Sequence, residues 1–486
     1  MQNDEISCFD AIRALAFMGD MSMGQPTDHS VKVAWIAHQI AEGLGFSEEQ
    51  CDLVVQVALL RWVGCTANAT EVAEVMSDDV RGRGELLALR LQAIKVLVPP
   101  NQIVSRTRAI SAIHCEVAII IAKTLGLSSS VQEALGALFE TWDGNGHPHN
   151  LKGAKIPIAA LIVVLAGDIE VFTREYGVAE AMHMLQLRAD IVYPQYLADF
   201  VVIHLQEWFS RLSEPDGTAV NFETSSDSHA VNLSLLADVI DLKLPWLTGN
   251  SRAVALLADV VAAGLNLPIV SRNCIRRSAL IHGLGRVSVP NSVWNQTGSF
   301  STADWEKVRL CPYWTSRAAA QIKSLTHEAE IASYAYERLD SSGYFRAASI
   351  NSTPIEFRIL PVVTTWLALQ SPRPWRDRMS VESAINHMQQ QVFLKRFDQS
   401  VVDTVLGVSA RIEFPRFAIK PSVNILSPRE LEILRCIGQG DNNKSAARTL
   451  GISPATVRTH VESVFRKLEC NSRAAAILKA STLGLL

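Results

Sequence analysis

The sequence predicts an all-α protein: two tandem copies of one helical unit, then a small four-helix module at the C-terminus. Three observations predict it. Apolar residues recur at helical spacing along most of the chain. Two sets of sequence blocks recur at constant offsets. Residues 425–486 divide into short segments with cap signals at their ends.

The first element sets the helical period. In "HSVKVAWIAHQIAEGLG" (29–45), Val33, Ala37, Ile40, Ala41 and Leu44 share one face. The pattern returns in "NSRAVALLADVVAAGL" (250–265), where His29 matches Asn250 at an offset of 221. "LLRWVG" (59–64) matches "LIHGLG" (280–285) at the same offset. "ETWDGNGHP" (140–148) matches "ERLDSSGYF" (337–345) at 197, and "IP" (156–157) matches "TP" (353–354), again at 197. The first copy is therefore 24 residues longer between its second and third blocks. Polar, turn-rich "SEPDGTAVNFETSSDSH" reads as a linker, and "RIEFPRFAIKPSVN" with its two prolines as another. The expected division is 1–212, linker 213–229, 230–412, linker 413–424, and 425–486.

The last module reads as four helices. Ser427 N-caps the first, with Pro428 at N1 and Glu430 completing a capping box. Leu431, Leu434 and Ile437 form its apolar face, and Gly438 and Gly440 end it. A second helix runs from about Asn443 to Gly451. Ser453 caps a third, in which Val457, Val461, Val464 and Leu468 point inward. Thr456, Arg458, Thr459, His460, Ser463, Arg466 and Lys467 are left outside. A fourth helix begins near Ser472. Two short helices joined by a tight Gly turn, the second basic on its outer face, make a helix-turn-helix.

Charge agrees with that division. The net charge is −4, yet 425–486 carry 9 Lys/Arg against 5 Asp/Glu. A basic module on an acidic body suits phosphates at one end only. The eight cysteines include no CxxC pair, which excludes a zinc ribbon and a thioredoxin-type motif. Reduced thiols in a cytoplasmic protein are the expectation. The N-terminus has acids before a short apolar run, unlike a signal peptide, and no uncharged apolar run is long enough to span a membrane.

Both copies resemble HD-GYP domains, helical metal-dependent phosphodiesterases of cyclic dinucleotides. The resemblance covers roughly 20–200 and 230–410. It rests on "LLRWVGC", "IHCEVA" and "ETWDGNGHP…LKGAKIP" in the first copy, and on "LIHGLGRVSVPNSVWNQTGSFS", "RLCPYWT", "ERLDSSGYF" and "SPRPWR" in the second. It implies two or three metal ions held by a first His, a His-Asp pair, another His, two adjacent His and a later Asp. In copy one His29 and His114 keep two places, while the others hold Arg61-Trp62, Leu138-Phe139 and Gly167. In copy two only His282 survives, among Asn250, Gly283, Cys311, Ala335, Tyr336 and Thr364. A guanidinium cannot ligate a metal, and Trp, Leu and Phe offer no lone pair. The expectation is no catalytic residue, no metal, no cofactor and no enzyme activity. The candidate ligand pocket is His29, Arg61, Trp62, His114, Leu138 and Phe139 in copy one, with Asn250, His282 and Tyr336 in copy two. Its apolar wall suits an apolar or weakly anionic small molecule.

The C-terminal module closely resembles the LuxR-type DNA-binding domain through "LSPRELEIL" and "SPATVRTHVESVFRKL". Arg458 and His460 are placed to reach base edges, and Thr456 and Val457 to meet thymine methyls or phosphate. Ser463 lies on the same outer face, and Lys444, Arg466 and Lys467 suit phosphate contacts. The expected function is a transcription regulator that binds double-stranded DNA as a homodimer. Its HD-GYP-like repeats would sense a small molecule, and RNA polymerase would be a partner if it activates. Two alternatives stay open: a phosphohydrolase with residual metal-dependent activity, and a ligand-independent scaffold controlled by a protein partner.

Overall fold

The computed structural model describes residues 4–212, 229–346, 353–409 and 425–486. The linkers expected at 213–229 and 413–424 lie outside the described residues, except for His229. Contacts divide the chain into two units, Ser7–Ala230 and Met1–Ile6 with Val231–Leu486. Helices carry the fold, as the sequence periodicity predicts, and one small two-stranded sheet pairs Glu5–Ser7 with Ala230–Asn232.

In the first unit, helix His29–Gly43 packs on Glu48–Leu60 and on Ile158–Tyr176. Helix Pro100–Thr124 packs against Ser129–Gly136 and the 3-10 turn Val63–Cys65. Ile36, Ile40, Leu60, Ile121, Leu135 and Phe172 are fully buried at this core. The second unit repeats the arrangement. Helix Asn250–Gly264 packs on Ile269–Ile281 and on Glu356–Leu369. His29–Gly43 and Asn250–Gly264 are each 15 residues long, and Glu48–Leu60 and Ile269–Ile281 each 13. Both pairs are 221 apart, so the two copies share helix register as well as sequence.

One local device recurs. Asp20 accepts from the Ser30 backbone N–H (3.0 and 3.1 Å) and the Ser30 hydroxyl (2.5 Å). Asp241 accepts from the Ser251 N–H and hydroxyl, both at 2.8 Å. Each carboxylate satisfies an otherwise orphaned donor in the first turn of the helix that begins the repeat's centre.

The C-terminal module has the four expected helices, Pro428–Gly438, Asn443–Leu450, Pro454–Leu468 and Arg473–Thr482. Ser427, Asn442, Ser453 and Ser472 cap them through side-chain oxygens. The buried face of the first is Ile433, Leu434 and Ile437, with Leu431 only half-buried. Helix Arg473–Thr482 lies against Ser234–Asp241 of the second repeat, within the same unit. Among the described residues, no single helix is long and apolar enough to cross a membrane. The bent pair Glu48–Cys65 with Ala69–Met76 passes on length and composition together, and most of its apolar residues are buried in the first unit.

Candidate functional site

His29 is fully buried at the start of its helix. Its Nδ1 is 2.6 Å from Glu170 Oε2, and Glu170 also accepts from Arg174 Nε (2.9 Å) and Nη2 (3.2 Å). Burial pushes the Glu170 carboxyl up, but His29 and then Arg174 win and hold it at about 2. Burial lowers the His29 imidazole despite Glu170. With Nδ1 turned to Glu170, His29 Nε2 is buried without a hydrogen-bond partner.

Arg61 is 5% exposed and follows directly on Leu60, the last residue of its helix. Its guanidinium lies 4.1 Å from the Trp62 ring centroid and fills the space above Gly167. A methyl group at Gly167 would meet Arg61 Nη1 at 1.8 Å. Burial pushes the guanidinium down to about 10, against Asp168, Asp20 and Glu170, so it stays cationic at neutral pH. His114 Nε2 pairs with the Arg61 carbonyl at 2.9 Å, and its Nδ1 is 3.6 Å from Cys65 Sγ. Burial takes the His114 pKa to about 3. Trp62 packs with Met23, Cys65, Leu87 and Phe139, and Leu138 is buried. A separate cavity of about 180 Å³ beside Glu170 is lined by Lys32, Ile36, Arg174, Leu205 and Trp208, and by none of Trp62, Leu138 or Phe139.

In the second repeat His282 Nδ1 donates to the Ala279 carbonyl (2.6 Å), and Nε2 accepts from Arg286 Nη2 (2.9 Å). Burial and Arg286 bring this imidazole to about 3. Arg286 Nη2 also donates to the Tyr336 hydroxyl at 3.0 Å. Asn250 begins its helix half-buried and makes no side-chain hydrogen bond to His282 or Tyr336 among the described residues. Thr364 donates to the Leu360 carbonyl at 2.7 Å.

The structure thus joins Arg61, Trp62, His114 and Phe139 in one repeat, and His282 and Tyr336 in the other. Sequence reasoning missed Asp20, Asp241, Glu170 and Arg286. The offset of 221 between Asp20 and Asp241 was a usable signal. Nothing local marked Arg286, which reaches the centre from four residues past His282.

The family resemblance implies metal ions, and the donor set does not fit them. Both His114 nitrogens and both His282 nitrogens are committed. A guanidinium stands beside each centre, and like charge repels a divalent cation. Among the described residues no group of three or more His, Cys, Asp or Glu side chains is arranged to hold a metal.

The "ETWDGNGHP" loop is held by its acids. Glu140 accepts from the backbone N–H of His149 (2.7 Å) and Leu151 (2.8 Å), and Glu337 accepts from that of Arg346 (2.7 Å) at the matching place. Asp143 accepts from Asn145 N–H, and Asp340 from Ser342 N–H.

On the third helix of the C-terminal module, Thr456 and Arg458 are exposed and His460 is half-buried. Among the described residues Arg458 pairs only with exposed Glu462, at 2.9 Å. Lys444 and Arg466 are also exposed. Val457 corrects the expectation of a DNA contact. It is 0% exposed, because it falls on the core face with Val461 and Val464. Ser463 and Lys467 both bond to Glu430, at 2.7 Å each, which ties this helix to the first.

Comparison with known proteins follows the same division. The HD domain family model matches residues 86–193 and 234–401. The model for bacterial regulatory proteins of the luxR family matches 424–480. The 3'3'-cGAMP-specific phosphodiesterase 3 of Vibrio cholerae is 24% identical over 406 residues, spanning 77% of this chain and 88% of that protein. A crystal structure of a cyclic GMP-AMP-specific phosphodiesterase of V. cholerae (V-cGAP3) aligns at a TM-score of 0.61 and 21% identity. It covers 84% of this chain and 99% of that one, and it shows the shared fold. The nitrate/nitrite response regulator protein NarL of Escherichia coli (strain K12) is 42% identical over 72 residues, 15% of this chain and 32% of that protein. These relatives correct the expectation that the chain is not an enzyme. The similarity to a phosphodiesterase runs over most of the chain and points toward enzyme activity.

Proposed function

We propose, for a chain that belongs to the HD domain family and ends in a LuxR-type DNA-binding domain, a transcription regulator whose HD repeats respond to a small molecule and set its DNA binding. The observation that carries this reading is the capped helix Pro454–Leu468, which keeps Thr456 and Arg458 exposed on a buried Val457–Val461–Val464 face. One such module offers few base contacts, so a homodimer on a two-fold operator supplies the affinity. If the regulator activates, RNA polymerase is its further partner.

Selection of a bound operator from random duplexes, followed by titration, tests the reading. Arg458→Ala is expected to weaken operator binding by about 1–3 kcal/mol and to relax preference at one base pair. Arg466→Ala is expected to weaken all duplexes alike and to lower the salt dependence. Unchanged operator selectivity in the Arg458 variant would refute this register of the helix.

A second reading, phosphodiesterase activity, is favoured by the Vibrio cholerae relative, of which this chain spans 88%. Incubating the purified chain with 3'3'-cGAMP and divalent manganese or iron decides it. Release of linear product, lost in a variant of the repeats, would establish the enzyme. Intact substrate alongside ligand-dependent DNA binding would leave the regulator alone.

A further inference from the structure

Helix Gln195–Leu212 packs against His29–Gly43 and Ile158–Tyr176 in the first repeat. All three helices contribute to the cavity of about 180 Å³ beside Glu170. Most of its wall is apolar: Ile36 and Ile169 from the two central helices, and Leu205, Trp208, Phe209 and Leu212 from the C-terminal half of Gln195–Leu212. The Trp208 indole is held by its own helix, stacked on His204 at 5.4 Å and 14°, and His204 meets Phe200 at 4.9 Å. Phe200 in turn sits on Gly43, where an added methyl would lie 2.4 Å from its ring, so the two helices are held at close range. Space of this size exceeds the roughly 150 Å³ in which an engineered apolar cavity takes up benzene.

Three polar side chains interrupt the apolar wall: Lys32, Glu170 and Arg174. They belong to this repeat alone. At the offsets of 221 and 197, the second repeat has Ala253, Leu367 and Ser371 in their places. The polar end of the cavity is therefore no part of what the two centres share. Glu170 is committed to His29 and Arg174. Arg174 is committed to Glu170, Glu175 and Gln25. Lys32 stands differently. Its ammonium meets Asp28 at 2.7 Å, one turn away, and the Asp28 side chain is 56% exposed. Such an exposed i,i+4 pair is screened by water and contributes little. Lys32 can therefore turn to another carboxylate at small cost, whereas buried Glu170 would have to leave its partners to take a cation. The exchangeable charge on the wall is positive, so the matching head group is an anion.

We propose that this cavity of the first repeat binds a small apolar monocarboxylate, with its alkyl or aryl part against Leu205, Trp208 and Phe209 and its carboxylate on Lys32. This names a ligand class and a place for the small-molecule reading above, and its regulatory consequence rests on that reading. A single exchangeable ammonium suits a single negative charge. The room behind it is below the roughly 300–1,000 Å³ of pockets for larger ligands, and it suits a ring or a short chain rather than a nucleotide.

Calorimetric titration of the full chain tests it, with octanoate, 3-phenylpropionate, 1-octanol and octylamine as probes. At least one of the two acids is expected to bind saturably at submillimolar concentration, at least tenfold tighter than the alcohol or the amine. Lys32→Gln is expected to weaken that acid tenfold or more and to remove its advantage over the alcohol. Phe209→Ala is expected to weaken it tenfold or more by opening the apolar wall. The Lys32 side chain is 28% exposed and Phe209 is half-buried, so both variants are expected to keep the native melting temperature. No saturable binding of either acid, equal binding of the alcohol or the amine, or native acid binding in either variant would each overturn the site. Operator affinity measured with and without the acid separates the two ideas. Binding that leaves operator affinity unchanged keeps the site and refutes its regulatory consequence. An acid-dependent change in operator affinity that survives in Lys32→Gln and Phe209→Ala refutes the site and keeps the regulatory reading.

Discussion

Gly285→Ala is expected to destabilise the second repeat by about 3 kcal/mol, and Gly64→Ala the first by a similar amount. The two glycines are 221 apart and occupy one position of the repeat. A methyl group at Gly285 would lie 2.0 Å from the Cys311 carbonyl oxygen and 2.7 Å from the Thr315 nitrogen. At Gly64 it would lie 2.4 Å from the His114 carbonyl oxygen and 2.9 Å from His114 Cα. Both obstacles are backbone, which cannot swing aside as a side chain can. Cys311 and His114 are themselves at matching places, so the same helix approach is built into both copies. Relief would require moving helix Cys311–Ala319 off the 3-10 segment Leu284–Ser288, and Pro100–Thr124 off Val63–Cys65. Thermal and urea unfolding followed by circular dichroism would show the loss. Gly298→Ala is the control, because nothing lies within 4 Å of its added methyl. If Gly285→Ala melts with Gly298→Ala, the close approach is wrong.

Glu430→Ala is expected to cost about 2 kcal/mol within the DNA-binding domain. The buried carboxylate closes the capping box on the Ser427 N–H (2.7 Å) and accepts from Ser463 and Lys467 across to the third helix. Breaking a fully buried pair costs about 3–5 kcal/mol. The Lys467 side chain is 37% exposed, and solvent screening reduces the figure. Burial raises the Glu430 pKa, but Lys467 and then Ser427 and Ser463 overcome it and set it at about 2, against 4.5 ordinarily. A depressed carboxylate stabilises the fold fully above its unfolded pKa and less below it. Its contribution is therefore whole above about pH 4.5 and fades as pH falls toward 2. Hydrogen exchange of Pro428–Gly438 and Pro454–Leu468 in the full chain reads this locally. Protection is expected to drop between pH 4.5 and 2 in the native chain, and to be low at every pH in Glu430→Ala. Equal protection in both chains at neutral pH would rule out the tie. The same tie already gives the Lys467 ammonium a carboxylate partner.

Much of this was legible because local rules govern it. Ser427, Asn442, Ser453 and Ser472 each satisfy donors of the turn they begin, so caps and boundaries follow from neighbours in sequence. Val457 shows where local rules stop. A residue in the first turn of a recognition helix can face the core or the groove, and periodicity put Val457 inward while its position suggested a thymine contact. Packing against Val461 and Val464 decided for the core. The inference from lost ligands to lost activity also overreached, because it weighed seven positions and the likeness of most of the chain to a phosphodiesterase weighs against it.

The sequence by itself determined the two copies, their helix register and the four-helix DNA-binding module. Those depend on period, caps and offsets, which a linear chain displays. Only the tertiary structure decided what occupies each centre. Arg61 lies over Gly167, more than a hundred residues away, because a residue without a side chain leaves it room. In the second copy His282 and Thr364 stand in those two places, and the cation comes from Arg286 instead. Which buried charge meets which partner is settled by the volume left between packed helices, and no spacing along the chain records that volume.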